Sequence, residues 1–411
     1  MFIIFLLFPL IAFILCLKNL DNKKNAAIFI LFYGLFGYCQ HFGLLTSDIA
    51  RIGLKFEYSD LVFGMDIMES YNEGNLTDVY ATATRYIIRP ITSNPKIYIG
   101  ILGLIFGFLC YNFYKFIYRD WTQAKRGIFF LLVLLALSKI SLVTFTGVRN
   151  ATASMLFLCS VYRYIFCDKK YWIIGVLLSP LIHFQMWSCI IIFAIYLLLP
   201  TYVSKWGKLF KVALTGAILI SMIDLSGFIR LSISEQDGEE LYNASIASKT
   251  MAYTTQKDVH IDDAAPSLYR QANKAFFTTF GYINRFGIFY VMWFMIGFIG
   301  KHKLPKSDRK MYLLLLIFST IVISFYSISY HLGARISCIW WELFFVFFAR
   351  IYSHDSRLPA KRLLLLIVFF NFASIASTIV NVPRLVEPTF WVCPAPMSII
   401  NGLDFSILKT I

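Results

Sequence analysis

Residues 115–126 read Lys-Phe-Ile-Tyr-Arg-Asp-Trp-Thr-Gln-Ala-Lys-Arg, four basic side chains against one acidic. They stand between two apolar runs, 97–116 and 127–146. Each run has about 20 residues, the length a helix needs to cross ~30 Å of hydrocarbon. Five further segments repeat the pattern: 18–25, 163–170, 201–211, 301–310 and 350–362. The six together hold 22 of the 38 Lys and Arg but only 5 of the 23 Asp and Glu, a net +17. The rest of the chain, with 16 basic and 18 acidic residues, is a net −2. Lys and Arg beside membrane helices are retained on the cytoplasmic side. The pattern therefore assigns a side to every loop.

The composition agrees. The chain has 411 residues, 58% hydrophobic and 18% aromatic. Repeated apolar runs at this density indicate membrane spans, and the expected fold is all-α, a polytopic membrane protein. The formal net charge of +15 does not point to nucleic acid, because the excess lies in loops whose charge orientation explains. The 8 Cys fall almost entirely inside apolar runs and read as small buried side chains, not as a disulfide framework. Residues 1–17 lack a basic start and a small-residue cleavage site, so they are expected to be a helix and not a signal peptide.

The spacing predicts twelve helices: 1–17, 26–45, 97–116, 127–146, 150–167, 168–183, 184–200, 212–231, 276–299, 311–330, 336–352 and 363–382. Placing all six basic segments inside requires an even helix count between them and puts both termini outside. The run 171–200 is too long for one span, about 45 Å at the helical rise. It reads as two short helices with Pro180 in the first and a turn near His183 that dips into the outer leaflet. Two long polar segments, 46–96 and 234–275, are then extracytoplasmic loops, and 383–411 is an extracytoplasmic tail. The whole, 1–411, is one transmembrane domain. Loops above ~15 residues are usually functional or disordered.

Ionisable residues within spans are costly and mark function. On the assigned topology Arg149, His183, Arg285, His331 and Arg335 all fall in the external half. Three arginines, with Arg89 as a fourth, suit one polyanion, because guanidinium forks match phosphate oxygens and stay charged. A histidine beside them suits general-base chemistry. Each has a plainer reading. Arg149 and Arg335 snorkel to head groups, His183 satisfies a helix break, and Arg285 pairs with Glu342 or Asp224. Asp66 and Tyr71 read equally as ordinary loop residues. The group His260, Asp262 and Asp263 suggests metal ligation only weakly and is better read as a solvated loop.

The run Gly147-Val148-Arg149-Asn150-Ala151-Thr152-Ala153, a basic Asp168-Lys169-Lys170 break and Leu181-Ile182-His183 together resemble the EpsG family, exopolysaccharide membrane proteins related to Wzy-type polymerases. Gly64-Met65-Asp66 ahead of Tyr71, and Gly333-Ala334-Arg335 before an aromatic helix, are similar to that family's pattern too. This chain departs from it with Asn after Arg149 and with Phe-Gln-Met after His183.

The resemblance implies a membrane glycosyltransferase of GT-C-like architecture. It would join lipid-linked sugar repeats on the outer face of a bacterial cytoplasmic membrane. The implied substrate is a polyprenyl-pyrophosphate-linked oligosaccharide, with a chain-length regulator and a flippase of the same pathway as partners. Arg149, Arg285, Arg335 and Arg89 are then expected on the pyrophosphate, Tyr71 on sugar, and His183 as the base with Asp66 as its competitor. No metal or cofactor is expected. The alternatives are a flippase or exporter of the same substrate and an O-antigen ligase-like transferase.

Overall fold

The computed structural model describes residues 1–40, 48–58, 79–121, 139–140, 144–223, 225, 267–299, 304–354, 360–386, 389–392 and 394–402. Asp66, Tyr71, Cys393, the group His260, Asp262 and Asp263, and most of the expected fourth helix lie outside these residues. Among the described residues the chain is helical throughout, with one isolated antiparallel bridge between Gln40 and Val386. It forms two compact units: Met1–Val62, Tyr80–Cys159 and Ile375–Ile411 in the first, Phe63–Val79 and Ser160–Ser374 in the second.

The first unit opens with α1 (Phe2–Leu7) and α2 (Pro9–Cys16). The run expected as one helix is split at Phe8, because the residue before a proline is pushed out of the α region; Phe8 has φ −142° and ψ 79°. Next, α3 (Lys23–Tyr38) is capped by Asn22, whose side chain accepts from the Lys24 amide at 2.9 Å. Two helices follow within the expected loop 46–96, α4 (Asp48–Tyr58) and α5 (Val79–Ile88). The spacing of Ile49, Ile52 and Phe56 gives α4 one apolar face, which is buried. Then α6 (Pro95–Trp121) starts on a proline with Asn94 capping the Lys96 amide at 2.8 Å.

Glycines bring α3 and α6 together. A Cβ on Gly37 would lie 2.7 Å from the Ile99 carbonyl oxygen, one on Gly107 would lie 2.8 Å from Tyr33 Cβ, and one on Gly103 would overlap the Tyr33 carbonyl. Small residues let two backbones approach at this range. Phe13, Phe29, Phe32, Tyr33 and Phe106 fill the surroundings, with Phe13 and Phe32 stacked at 4.1 Å.

Helix α7 (Val148–Phe166) begins in the first unit and ends in the second. The second unit continues with α8 (Ile173–Ile182), α9 (Met186–Leu198), α10 (Gly207–Ser221), α11 (Ser267–Ile299), α12 (Lys306–Phe325) and α13 (Tyr330–His354). The next helix, α14 (Ala360–Leu385), spans the boundary again. Helix α11 starts nine residues earlier than expected, so the end of the segment 234–275 is helical. The run 171–200 is two helices, as the spacing requires, broken at an extended His183 (φ −151°, ψ 123°). At 10 residues α8 rises about 15 Å, half of a hydrocarbon core.

By length and hydropathy three stretches among the described residues qualify as spans: Pro95–Arg119, Gly281–Ile299 and Leu332–Tyr352. Shorter apolar helices cover Lys170–Ile182, Met186–Leu198 and Arg362–Phe372.

In each unit the basic segments gather at one end. In the first, Arg119 pairs with Asp21 at 2.9 Å and Tyr118 donates to the Lys18 carbonyl at 3.2 Å, joining 18–25 to 115–126. In the second, Lys310 lies 3.8 Å from Asp168, and Arg350 donates to Asp308 at 2.8 Å while its guanidinium stands 4.1 Å over the Phe166 ring. Asp308 is only 1% exposed, so this pair is a buried clasp between the ends of α12 and α13. Lys211 lies 4.8 Å over Trp293, near the end of α11, which brings 201–211 to the same end.

Candidate functional site

Chain direction places the expected site residues at the opposite ends. In the second unit these are His183, Arg285 and Arg335; in the first they are Arg149 and Arg89.

Arg285 sits on α11, four residues into an apolar span, and is 5% exposed. Its Nη1 donates to the Ser221 carbonyl, one of the orphan acceptors at the end of α10, and lies 3.4 Å from the Ser221 hydroxyl. Its guanidinium stands 3.9 Å over the Tyr282 ring. Among the described residues no carboxylate pairs with it; Glu342, fully buried on α13, does not. Its Nε is buried and makes no hydrogen bond. Thus one nitrogen caps a helix and another donor remains for an acceptor from elsewhere. Tyr326, at the turn between α12 and α13, is within electrostatic reach and donates to Ser337 at 3.2 Å. Arg335, one turn into α13, is exposed.

His183 is buried between α8 and α9. Its Nδ1 accepts the backbone N–H of Gln185 at 3.2 Å, closing the first turn of α9. A neutral imidazole that accepts at Nδ1 carries its proton on Nε2. In this tautomer the Nε2–H is a donor. Gln185 itself is buried with both its amide oxygen and its amide nitrogen unpaired.

In the first unit the candidate arginines separate. Arg89 donates to the carbonyls of Ser93 and Glu57, at 3.3 and 3.1 Å, and stands 5.4 Å over Phe56. It stitches α4 to the turn after α5, and its donors are used on backbone. Phe56 in turn stacks on Tyr98 at 4.2 Å and 7°. The Tyr98 hydroxyl donates to the Ala81 carbonyl at 3.1 Å and lies 3.0 Å from the Thr84 hydroxyl, so it fastens α5 to the start of α6. Arg149, at the first turn of α7, acts electrostatically on Tyr98, and so does Arg85 of α5. The sequence reading gave Arg85, which closes the same polar segment as Arg89, no role in the site; its four-residue offset from Arg89 was the available signal. Beside them the phenol of Tyr80 faces Thr152, and burial holds that phenol above the ordinary range, with Thr152 acting the other way.

Among the described residues no group of three His, Cys, Asp or Glu is placed to hold a metal ion. What the two ends offer is fixed positive charge and hydroxyls, which suits an anion.

Comparison with known proteins gives one match. A profile of the EpsG family aligns with residues 67–388. No curated protein and no solved structure matches the chain. The aligned region takes in α5 to α14, Arg149, His183, Arg285 and Arg335, and the chain belongs to the EpsG family, a family of Wzy-type polysaccharide polymerases.

Proposed function

We propose that the chain polymerises lipid-linked oligosaccharide repeats at the outer face of a bacterial cytoplasmic membrane. The donor is a polyprenyl-pyrophosphate glycan and the acceptor a sugar hydroxyl of a second repeat. The observation that best supports this reading is Arg285, a buried guanidinium with no carboxylate partner among the described residues and an unpaired Nε. A charge in a span is held by polar partners; Arg285 uses one nitrogen on the Ser221 carbonyl and keeps a donor that a pyrophosphate can take.

In the reaction the bond from the anomeric carbon to the phosphate oxygen breaks, and the lipid pyrophosphate leaves with the electron pair. A new bond forms from that carbon to the acceptor oxygen, whose proton passes to a base. The candidates for neutralising the developing charge on the leaving group are Arg285 and Arg335 in the second unit and, taken separately, Arg149 in the first. His183, holding its proton on Nε2, donates to substrate. Asp66 is the base, and Tyr71 contacts sugar. Both termini and the segments 46–96 and 234–275 are extracytoplasmic. The chain-length regulator and flippase of the same pathway are its partners.

The test is a polymerisation assay with the purified full chain and lipid-linked repeats. Wild type yields a ladder of products. Arg149→Lys should lower chain formation at least about tenfold, because an ammonium cannot reproduce bidentate phosphate contacts. Transfer of one repeat to a different acceptor without a ladder would mark a ligase. Movement of labelled donor across a vesicle membrane without new glycosidic bonds would mark a transporter. Either result overturns the proposal.

A further inference from the structure

We infer that Arg85, Arg149, Tyr80 and Thr152 form one phosphate-binding subsite in the first unit, built on α5 and the first turn of α7. The inference rests on the polymerase reading for the identity of the ligand, the phosphate nearest the lipid or the sugar of the same donor. The geometry carries it independently of that identity.

Two guanidiniums act on one phenol, Tyr98, and Tyr98 is itself fixed by its stack on Phe56 and its bonds to α5. Arg85 Nε is buried without a hydrogen-bond partner. The hydroxyls of Tyr80 and Thr152 lie beside one another, are both buried, and make no hydrogen bond of ordinary geometry. Thr152 is 1% exposed, so water does not satisfy it in place of protein. Buried polar groups in native proteins are nearly always paired, and three unpaired donors on facing helices call for an external acceptor. Arg149 and Thr152 are three residues apart, which sets them on one face of α7. All three orphans can donate, and a phosphate is rich in acceptors. The raised Tyr80 phenol stays protonated at every working pH and so keeps its donor.

The site differs from the expected one in a specific way. Arg89 is held by carbonyls, whereas Arg85, one turn earlier, has a buried donor to give. Tyr80 and Thr152 add neutral donors that hold phosphate oxygens without adding charge.

The experiment uses the full chain in lipid nanodiscs, with farnesyl diphosphate as the probe and farnesol as its uncharged counterpart. Arg85→Gln, Thr152→Val and Tyr80→Phe should each weaken farnesyl diphosphate binding about tenfold, the usual size for a lost hydrogen bond to a charged group. Farnesol binding should not change, Thr152→Ser should bind as wild type does, and the exposed control Thr215→Val should too. Arg85→Gln should also flatten the salt dependence of binding, which Thr152→Val should leave alone. Tyr80→Phe and Thr152→Val remove single oxygens and guard against a variant that fails to fold. Wild-type affinity in folded Arg85→Gln and Thr152→Val, or no binding of the diphosphate by wild type, overturns the inference. If the variants lose the diphosphate yet wild type makes no polymer, the subsite stands and the polymerase reading falls. If wild type polymerises and the variants bind normally, only the subsite falls.

Discussion

At the scale of single residues the sequence identified charge but not how each charge is used. Arg285 stood out as an arginine inside an apolar run, and the structure finds it buried without a carboxylate partner among the described residues. Arg89 and Arg85 looked alike on the page. Hydrogen bonds to the Ser93 and Glu57 carbonyls set them apart, and those depend on where α4 packs, which no local pattern encodes. For His183 the break itself was legible from Pro180 and helix length; the tautomer was not, because it depends on the Gln185 amide. That amide decides a measurement. A general base contributes roughly 10²–10⁴-fold to rate. Since Nε2 is the donor here, His183→Gln, which keeps a donor, should retain polymerisation within about tenfold of wild type, and His183→Ala should lose more. A loss of a hundredfold or more in His183→Gln would make this residue the base.

At the scale of elements, hydrophobic length and caps gave most helices their positions. The starts of α3 and α6 follow from Asn22, Asn94 and Pro95, and the split between α1 and α2 from Pro9. The start of α11 at Ser267 was missed because its first turns are polar, and polarity had marked them as loop. The seam between α3 and α6 was equally hidden, since a glycine reads the same whether it faces a backbone or open space. The two cases can be told apart in the laboratory. Gly37→Ala forces a Cβ toward the Ile99 carbonyl and should destabilise the chain by about 2 kcal/mol. In α10 nothing lies within 4 Å of a Cβ at Gly216, and Gly216→Ala should stabilise by up to ~1 kcal/mol. Thermal unfolding of both variants in detergent checks the pair; equal effects would mean the seam is not a close contact.

At the scale of the molecule, the charge pattern grouped segments that the structure brings together within a unit. Segments far apart in sequence, such as 163–170, 301–310 and 350–362, meet through Asp168, Lys310, Asp308 and Arg350. In each unit the candidate arginines lie at the other end. The proposed orientation puts Cys393 outside, and impermeant thiol labelling of spheroplasts tests it, with the other seven cysteines replaced. Cys393 should react without lysis. Reaction only after lysis would reverse the orientation and set every proposed site on the cytoplasmic side.

The clasp of Arg350 on Asp308 and Phe166 has a mechanical meaning. Breaking a buried pair of this kind by removing one partner typically costs about 3–5 kcal/mol, so the helix ends it joins are held fast. From that tie α12 runs 20 residues, about 30 Å, to the turn at Tyr326. A rotation of about 5° at the fastened end moves the far end by roughly 2.6 Å over that lever arm. The tie thus makes this end of α12 and α13 the pivot of any such rotation. Joined there as if by a rivet, α12 and α13 keep that end of the second unit shut.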